Sequence, residues 1–277
     1  MRRWRHGLGD GPRGAPSVVS DLRSDLSLAL ELADAADAIT VARFRAHDLH
    51  VEQKPDLTPV SEADRAVEQK IRERLELERP EDAVLGEEMG ATGDGPRRWI
   101  IDPIDGTKSY VRGVPAWATL LALEVDGALV VGVVSAPALG RRWWAAKGSG
   151  AFADGDPIRV SEVHALEDAQ VCAPNEREFE SKGLGAGWRA IARRCWRPVG
   201  FADFWGRMLV AEGAADAMIE PVLSIWDVAA LRPIVEEAGG RVSDLTGDGW
   251  ADEAACVTTN GVLHDEVLAM LNDQAAS

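Results

Sequence analysis

Residues 99 to 108 run Trp-Ile-Ile-Asp-Pro-Ile-Asp-Gly-Thr-Lys. The apolar run Trp99-Ile100-Ile101 predicts a buried strand, and Asp102 and Asp105 emerge at its end. Two carboxylates three residues apart in such a place can grip a hard cation through oxygen. Gly106-Thr107 follows at once and lets a phosphate approach backbone N–H groups with no Cβ in the way. The pairing points to a metal-assisted phosphate site.

The flanking sequence supplies more acids at the ends of elements. Ala83-Val84-Leu85-Gly86 reads as a short strand ending at Glu87-Glu88. Ser61-Glu62-Ala63-Asp64 reads as a helix start, with Ser61 as N-cap and an acid three residues on, and Ala63, Val67, Ile71 and Leu75 continue one apolar face. Asp227 sits where a helix opens in Ser-Ile-Trp-Asp-Val-Ala-Ala. Each acid has an ordinary reading when taken alone. Asp105-Gly106 is a turn, Glu87-Glu88 a solvated surface, Asp227 a first-turn acid favoured by the helix dipole, and Asp64 half of a capping box. Converging in one pocket, they must take up protons or bind cations, and Mg²⁺ suits carboxylates, water and a substrate phosphate.

The chain has 277 residues, 46% of them hydrophobic, and a formal net charge of −16 from 46 acidic and 30 basic residues. Such a surface repels nucleic acid and anionic membranes. It also repels a phosphorylated metabolite unless cations intervene. The odd and widely spaced Cys172, Cys195 and Cys256 argue against a disulfide framework or zinc site and suit a reducing, cytoplasmic setting. No apolar run is long enough to span a membrane.

The segment 21–46 has largely helical spacing, Lys54 to Pro59 is extended or turn-like between its prolines, and Asp126-Gly127 joins two apolar runs as a hairpin. Later segments alternate short strands (170–173, 217–220, 241–243) with helices (188–195, 204–212, 225–238, 263–271). The expected organisation is a flexible arm over 1–20, helices with an antiparallel sheet over 21–153 carrying most metal ligands, and a smaller α/β part over 154–277 carrying Asp227 and substrate contacts. The fold class is α+β.

Asp102-Pro-Ile-Asp-Gly-Thr107, with Gly86-Glu-Glu upstream and Trp226-Asp-Val-Ala-Ala and Glu237-Ala-Gly-Gly downstream, resembles the inositol monophosphatase superfamily over residues 22–272. Residues 111–152 are similar to its histidinol-phosphate phosphatases. The resemblance implies the layered αβαβα sandwich of the inositol monophosphatase and fructose-bisphosphatase type. It also implies two to three Mg²⁺ ions. Glu87, Asp102 and the Ile104 carbonyl would hold the first, Asp102, Asp105 and Asp227 the second, and Glu87 a weaker third. Backbone N–H groups of Gly106 and Thr107 would cradle phosphate, while Asp64 and the Thr107 hydroxyl would activate water. A cytoplasmic homodimer inhibited by lithium is further implied. The sequence departs from the family's Gly-Thr-x-Asn-Phe at Ser109-Tyr110, which changes the bracing of the phosphate loop.

For substrate, histidinol phosphate offers an ammonium and an imidazole, for which extra carboxylates or aromatic faces are expected. Glu220 and Asp203 suit a cation, Trp117 could stack on the imidazole or belong to the core, Arg197 is a further candidate contact, and Lys54 a candidate counter-charge. The alternatives are an inositol-1-monophosphatase, a nucleotide or sugar phosphatase, and a non-catalytic module that binds cations or metabolites.

Overall fold

The computed structural model describes residues 18–54, 58–247, 249 and 253–273. Most of the expected N-terminal arm lies outside these residues, and its last three already belong to a helix. Helix α1 (Val18–Arg43) leads to a ribbon of β1 (Val51–Gln53) and β2 (Pro59–Ser61), then to α2 (Glu62–Glu78). Strands β3 (Ala83–Gly86), β4 (Gly90–Thr92) and β5 (Arg97–Asp105) precede the short α3 (Thr107–Val111). A meander follows in β6 (Ala118–Val125), β7 (Ala128–Ala136), β8 (Arg141–Ala146), β9 (Ala151–Ala153) and β10 (Asp156–Pro157). The chain continues through β11 (Gln170–Cys172), α4 (Glu176–Ser181), α5 (Gly185–Arg194), β12 (Arg197–Val199), α6 (Asp203–Ala211) and β13 (Ala217–Leu223). It closes with α7 (Ile225–Ala229), α8 (Leu231–Glu237), β14 (Arg241–Ser243), β15 (Ala254–Thr259) and α9 (His264–Asp273).

Eight strands form one sheet in the order β10-β9-β8-β7-β6-β5-β3-β4, and five form another in the order β12-β11-β13-β15-β14. Strand alternation assigns the faces. Trp99 and Ile101 point with Leu121, Leu123, Val131 and Val133 toward α1 and α2. Ile100 points the other way, with Leu120, Ala122 and Val134, onto Phe204, Met208, Val228 and Ile234 of α6 to α8. On the far side of the small sheet, Ala217, Ile219 and Val257 pack against Phe179, Trp188, Val267 and Leu271 of α4, α5 and α9. The order of layers is therefore helix, sheet, helix, sheet, helix, as expected.

Local chemistry explains the elements. Ser61 caps α2 in a capping box closed by Asp64, and the Asp126-Gly127 hairpin places both residues at positive φ, 51° and 78°, as a primed turn requires. Three features depart from expectation. The large sheet is mixed, because β3 runs parallel to β5; Glu87 and Asp102-Asp105 therefore leave the sheet at one edge. The expected single helix over 225–238 is divided at Ala230, where Pro233 supplies no N–H for the Ala229 carbonyl. Strand β15, between β13 and β14 in the small sheet, is an element beyond those the sequence pattern predicts.

Gly132 lets the α7–α8 junction approach β7. A Cβ there would lie 2.1 Å from the Ala230 carbonyl oxygen. Gly132→Ala is expected to cost about 1–3 kcal/mol through overpacking, measured by chemical denaturation; wild-type stability would show that this contact does not set the layer spacing.

Candidate metal and phosphate site

Strand β5 is interrupted where the site begins. Its register with β6 shifts between Asp102 and Asp105, because Pro103 has no N–H for the ladder. The freed Pro103 carbonyl accepts the Thr119 hydroxyl at 2.8 Å. Both acids of the irregular segment turn toward Asp227, and one carboxylate oxygen from each of the three lies within 4.8 Å of the others. Backbone N–H groups orient them: Ile104 donates to Asp102 at 3.0 Å, Phe204 to Asp105 at 2.6 Å, and Ser224 to Asp227 at 2.8 Å. The first bond lies within one strand end, the second ties the large sheet to the middle helices, and the third belongs to a second capping box.

Among the described residues, no Lys or Arg forms an ion pair with Asp102, Asp105 or Asp227. Burial, then the neighbouring carboxylates, pushes Asp102 and Asp105 well above the usual carboxylate range. Burial likewise raises Asp227 to about 7, against the opposing bond from Ser224. An acidic, oxygen-only donor set lacking a protein cation fits a divalent cation of the magnesium class.

Glu87 lines the same cavity, of about 460 Å³, with Asp105, Gly106, Thr107 and Asp227. Its charge raises the pKa of Asp102 and Asp227. Its carboxylate is engaged by Lys54 at 2.7 Å, which also holds Glu88 at 2.6 Å. Lys54 is thus the counter-charge at this edge. The Ile104 carbonyl accepts the Thr107 hydroxyl at 2.9 Å, and its second lone pair leaves it able to meet another partner.

Asp64 is fully buried at the start of α2. Its Oδ2 accepts the Ser61 N–H at 2.8 Å and the Ser61 hydroxyl at 2.5 Å. Its Oδ1 lies 3.3 Å from the Thr107 hydroxyl. The capping role and the site-facing role belong to one side chain, each using a different oxygen. Burial raises its pKa, and the Ser61 bonds oppose the rise. Gly106 joins β5 to α3 at φ 80°, and a Cβ there would meet the Ala116 carbonyl oxygen at 2.9 Å.

Asp203 and Glu220 line the same cavity, and Asp203 stands beside the phosphate loop, its Oδ2 3.5 Å from where a Cβ on Gly106 would lie. Glu220 is not a free anion: Arg207, itself buried, pairs with its Oε2. Asp203 has no such ion pair among the described residues, and burial followed by the Glu220 charge lifts it to about 6. Two expected contacts are displaced. Trp117 is fully buried, packed edge-on against Tyr110 at 4.9 Å and beside Phe44 at 5.3 Å, so it cannot stack on a substrate; the core reading is correct. Arg197 is exposed at the start of β12 and donates to Gln170 at 3.2 Å. The strand registers put it at the opposite end of the small sheet from Glu220, ~13 Å along the strands at the usual rise per residue, so it does not reach the cavity.

The chain matches the model of the inositol monophosphatase family over residues 21–275. It is 51% identical over 265 residues to a histidinol-phosphatase of Streptomyces coelicolor, covering 92% of this chain and all of that protein. It is 52% identical over 254 residues to a histidinol-phosphatase of Mycobacterium tuberculosis, covering 90% and 98% of the two. Among solved structures, an IMPase of Thermotoga maritima superposes with a TM-score of 0.81 at 32% identity, over 92% of this chain and 98% of that one. No helix among the described residues is long and apolar enough to cross a membrane. With its αβαβα layers and its acidic cluster at the edge of the mixed sheet, this chain belongs to the inositol monophosphatase family.

Proposed function

We propose that the protein is a Mg²⁺-dependent phosphomonoesterase that hydrolyses histidinol phosphate to histidinol and phosphate. The observation that carries the chemistry is the meeting of Asp102, Asp105 and Asp227 beside the Asp64–Thr107 pair. The names of the Streptomyces and Mycobacterium relatives support the substrate, as does the Asp203 carboxylate that lines the cavity without an ion-pair partner among the described residues. In this reading Glu87, Asp102, the Ile104 carbonyl, Asp105 and Asp227 hold the ions. Held there, divalent cations would supply acidification of a water molecule and charge stabilisation for a leaving alkoxide.

The remaining work falls to the chain itself. The Thr107 hydroxyl has a single proton, shared between Asp64 and the Ile104 carbonyl. Donating that proton leaves its oxygen lone pairs to accept one from water and so orient the nucleophile. Asp64 is held by Ser61 and is well placed to receive the proton released as water attacks. Backbone N–H groups of Gly106 and Thr107 receive the phosphoryl oxygens. Asp203 faces the substrate's ammonium, while Glu220, matched by Arg207, supplies shape and hydrogen-bond acceptance more than net charge.

Asp105→Asn is expected to fold normally and to lower kcat by ~10²–10³-fold, the range for loss of a group that stabilises transition-state charge; near-normal turnover at low Mg²⁺ would remove Asp105 from the metal site. Asp203→Asn is expected to lower kcat/KM for histidinol phosphate ~10-fold or more relative to inositol 1-phosphate, the size of one charged hydrogen bond. Equal losses on both esters would end the ammonium assignment, and a wild-type preference for inositol 1-phosphate would end the substrate assignment.

A third outcome follows from the raised carboxylates. A group whose pKa is higher in the folded than in the unfolded state binds its proton more tightly when folded. Stability then falls as pH rises through the folded value. For Asp227 the window runs from its ordinary value near 4 up to about 7. The metal-free Asp105→Asn variant is therefore expected to lose less stability than wild type as pH rises from about 4 to about 7, and Mg²⁺ to restore wild type at the upper end. Parallel melting curves for the two proteins across that range would contradict this account.

A further inference from the structure

Glu68 is fully buried, one turn after Asp64 on α2, and both side chains lie on the same face of the helix. A helical Glu with Arg four residues on is ordinarily a surface pair of small consequence. Glu68 does pair with Arg72 at 2.8 Å, but it does more. Its Oε2 accepts the Glu88 N–H at 2.8 Å and its Oε1 accepts the Met89 N–H at 3.1 Å. A single carboxylate thus receives two successive backbone donors of the turn that carries Glu87. Arg72 completes the clamp by donating to the Gly90 carbonyl and, at 2.9 Å, to the Thr92 hydroxyl. From the other side, the Glu87 N–H donates to the Ile101 carbonyl at 3.2 Å.

Gly86 makes this arrangement possible. A Cβ at that position would lie 2.1 Å from Glu68 Oε1 and 2.3 Å from its Cδ. Gly86 is not at positive φ, so close approach, not backbone conformation, excludes a side chain. The glycine before Glu87-Glu88 is the space into which the Glu68 carboxylate fits.

We propose that Glu68 is a positioning residue that fixes the 87–89 turn from beneath and so presents Glu87 to the acidic cluster. Through α2 it also sets the distance between Glu87 and Asp64. This rests on the reading of Glu87 as a metal ligand. A carboxylate is suited to the task because it offers acceptors only; an amide would turn an NH₂ toward one of the N–H groups or toward Arg72.

The test compares wild type, Glu68→Gln and Gly86→Ala. Amide hydrogen exchange at Glu88 and Met89 in metal-free protein is expected to quicken at least ~10-fold in Glu68→Gln, and Mg²⁺ affinity by calorimetry to weaken ~10–100-fold, the usual size for loss of a group that orients a ligand. Turnover at saturating Mg²⁺ should stay within about threefold of wild type, since no reacting group has been removed. Unchanged exchange, or fast exchange with wild-type Mg²⁺ affinity, overturns the proposal. Should Glu68→Gln fail to fold, Gly86→Ala displaces the same carboxylate with its charge intact and is read by the same two measurements. If the wild-type protein hydrolyses no phosphomonoester, the functional reading fails by itself, and exchange and affinity still decide the role of Glu68.

Discussion

Repulsion among buried carboxylates is the constraint on which this structure turns. At 4.8 Å and an effective dielectric of ~20, two ionised carboxylates repel by about 3–4 kcal/mol. Three such pairs amount to a substantial part of the stability of a whole domain. The chain tolerates this cluster by fastening each acid to a backbone N–H and leaving neutralisation to protons or cations. Where a protein cation is supplied nearby, it is supplied elsewhere in the cavity, by Lys54 to Glu87 and by Arg207 to Glu220. Asp203 and Glu178, which line the same cavity, have no ion pair with Lys or Arg among the described residues.

Two capping boxes aim the acids that come from helices. Asp64 and Asp227 each close a box at the start of a helix, so a local rule of helix initiation also fixes the direction of a carboxylate. The acids that come from strands are aimed by topology. Because β3 and β5 are parallel neighbours, both C-terminal ends open at the same edge, and the Pro103 irregularity turns Asp102 and Asp105 inward together.

Much of this was legible in the sequence wherever local chemistry and function coincide. Ser61 with Asp64, the apolar run before Asp102 and the Asp126-Gly127 turn each carry a pattern that short-range physics enforces. What escaped depended on partners distant in the chain. Trp117 carries two readings in sequence, a stacking face or a core residue, and only Phe44 and Tyr110 decide for the core. Glu220 read as a free acid because Arg207, thirteen residues earlier, gives no sign of its pairing in sequence. Glu68 had a faint signal: it falls between Val67 and Ile71 on the face shared with Asp64. A charged residue on a helix is ordinarily solvated, whereas the partners of Glu68 are backbone groups of another loop. Strand β15 was missed because its hydrogen-bonding neighbours, β13 and β14, and not its own six residues, make it a strand.

The bond from the Phe204 amide to Asp105 has a consequence for biogenesis. Ninety-nine positions separate donor and acceptor, and Asp227 comes later still. As the ribosome delivers the chain, the early acids and the face bearing Ile100, Leu120 and Val134 precede the helices that cover them. A nascent polypeptide halted short of Asp227 would present both uncovered apolar surface and an incomplete acidic cluster. Delivery of Asp227 is thus the first moment at which the three-carboxylate cluster can close.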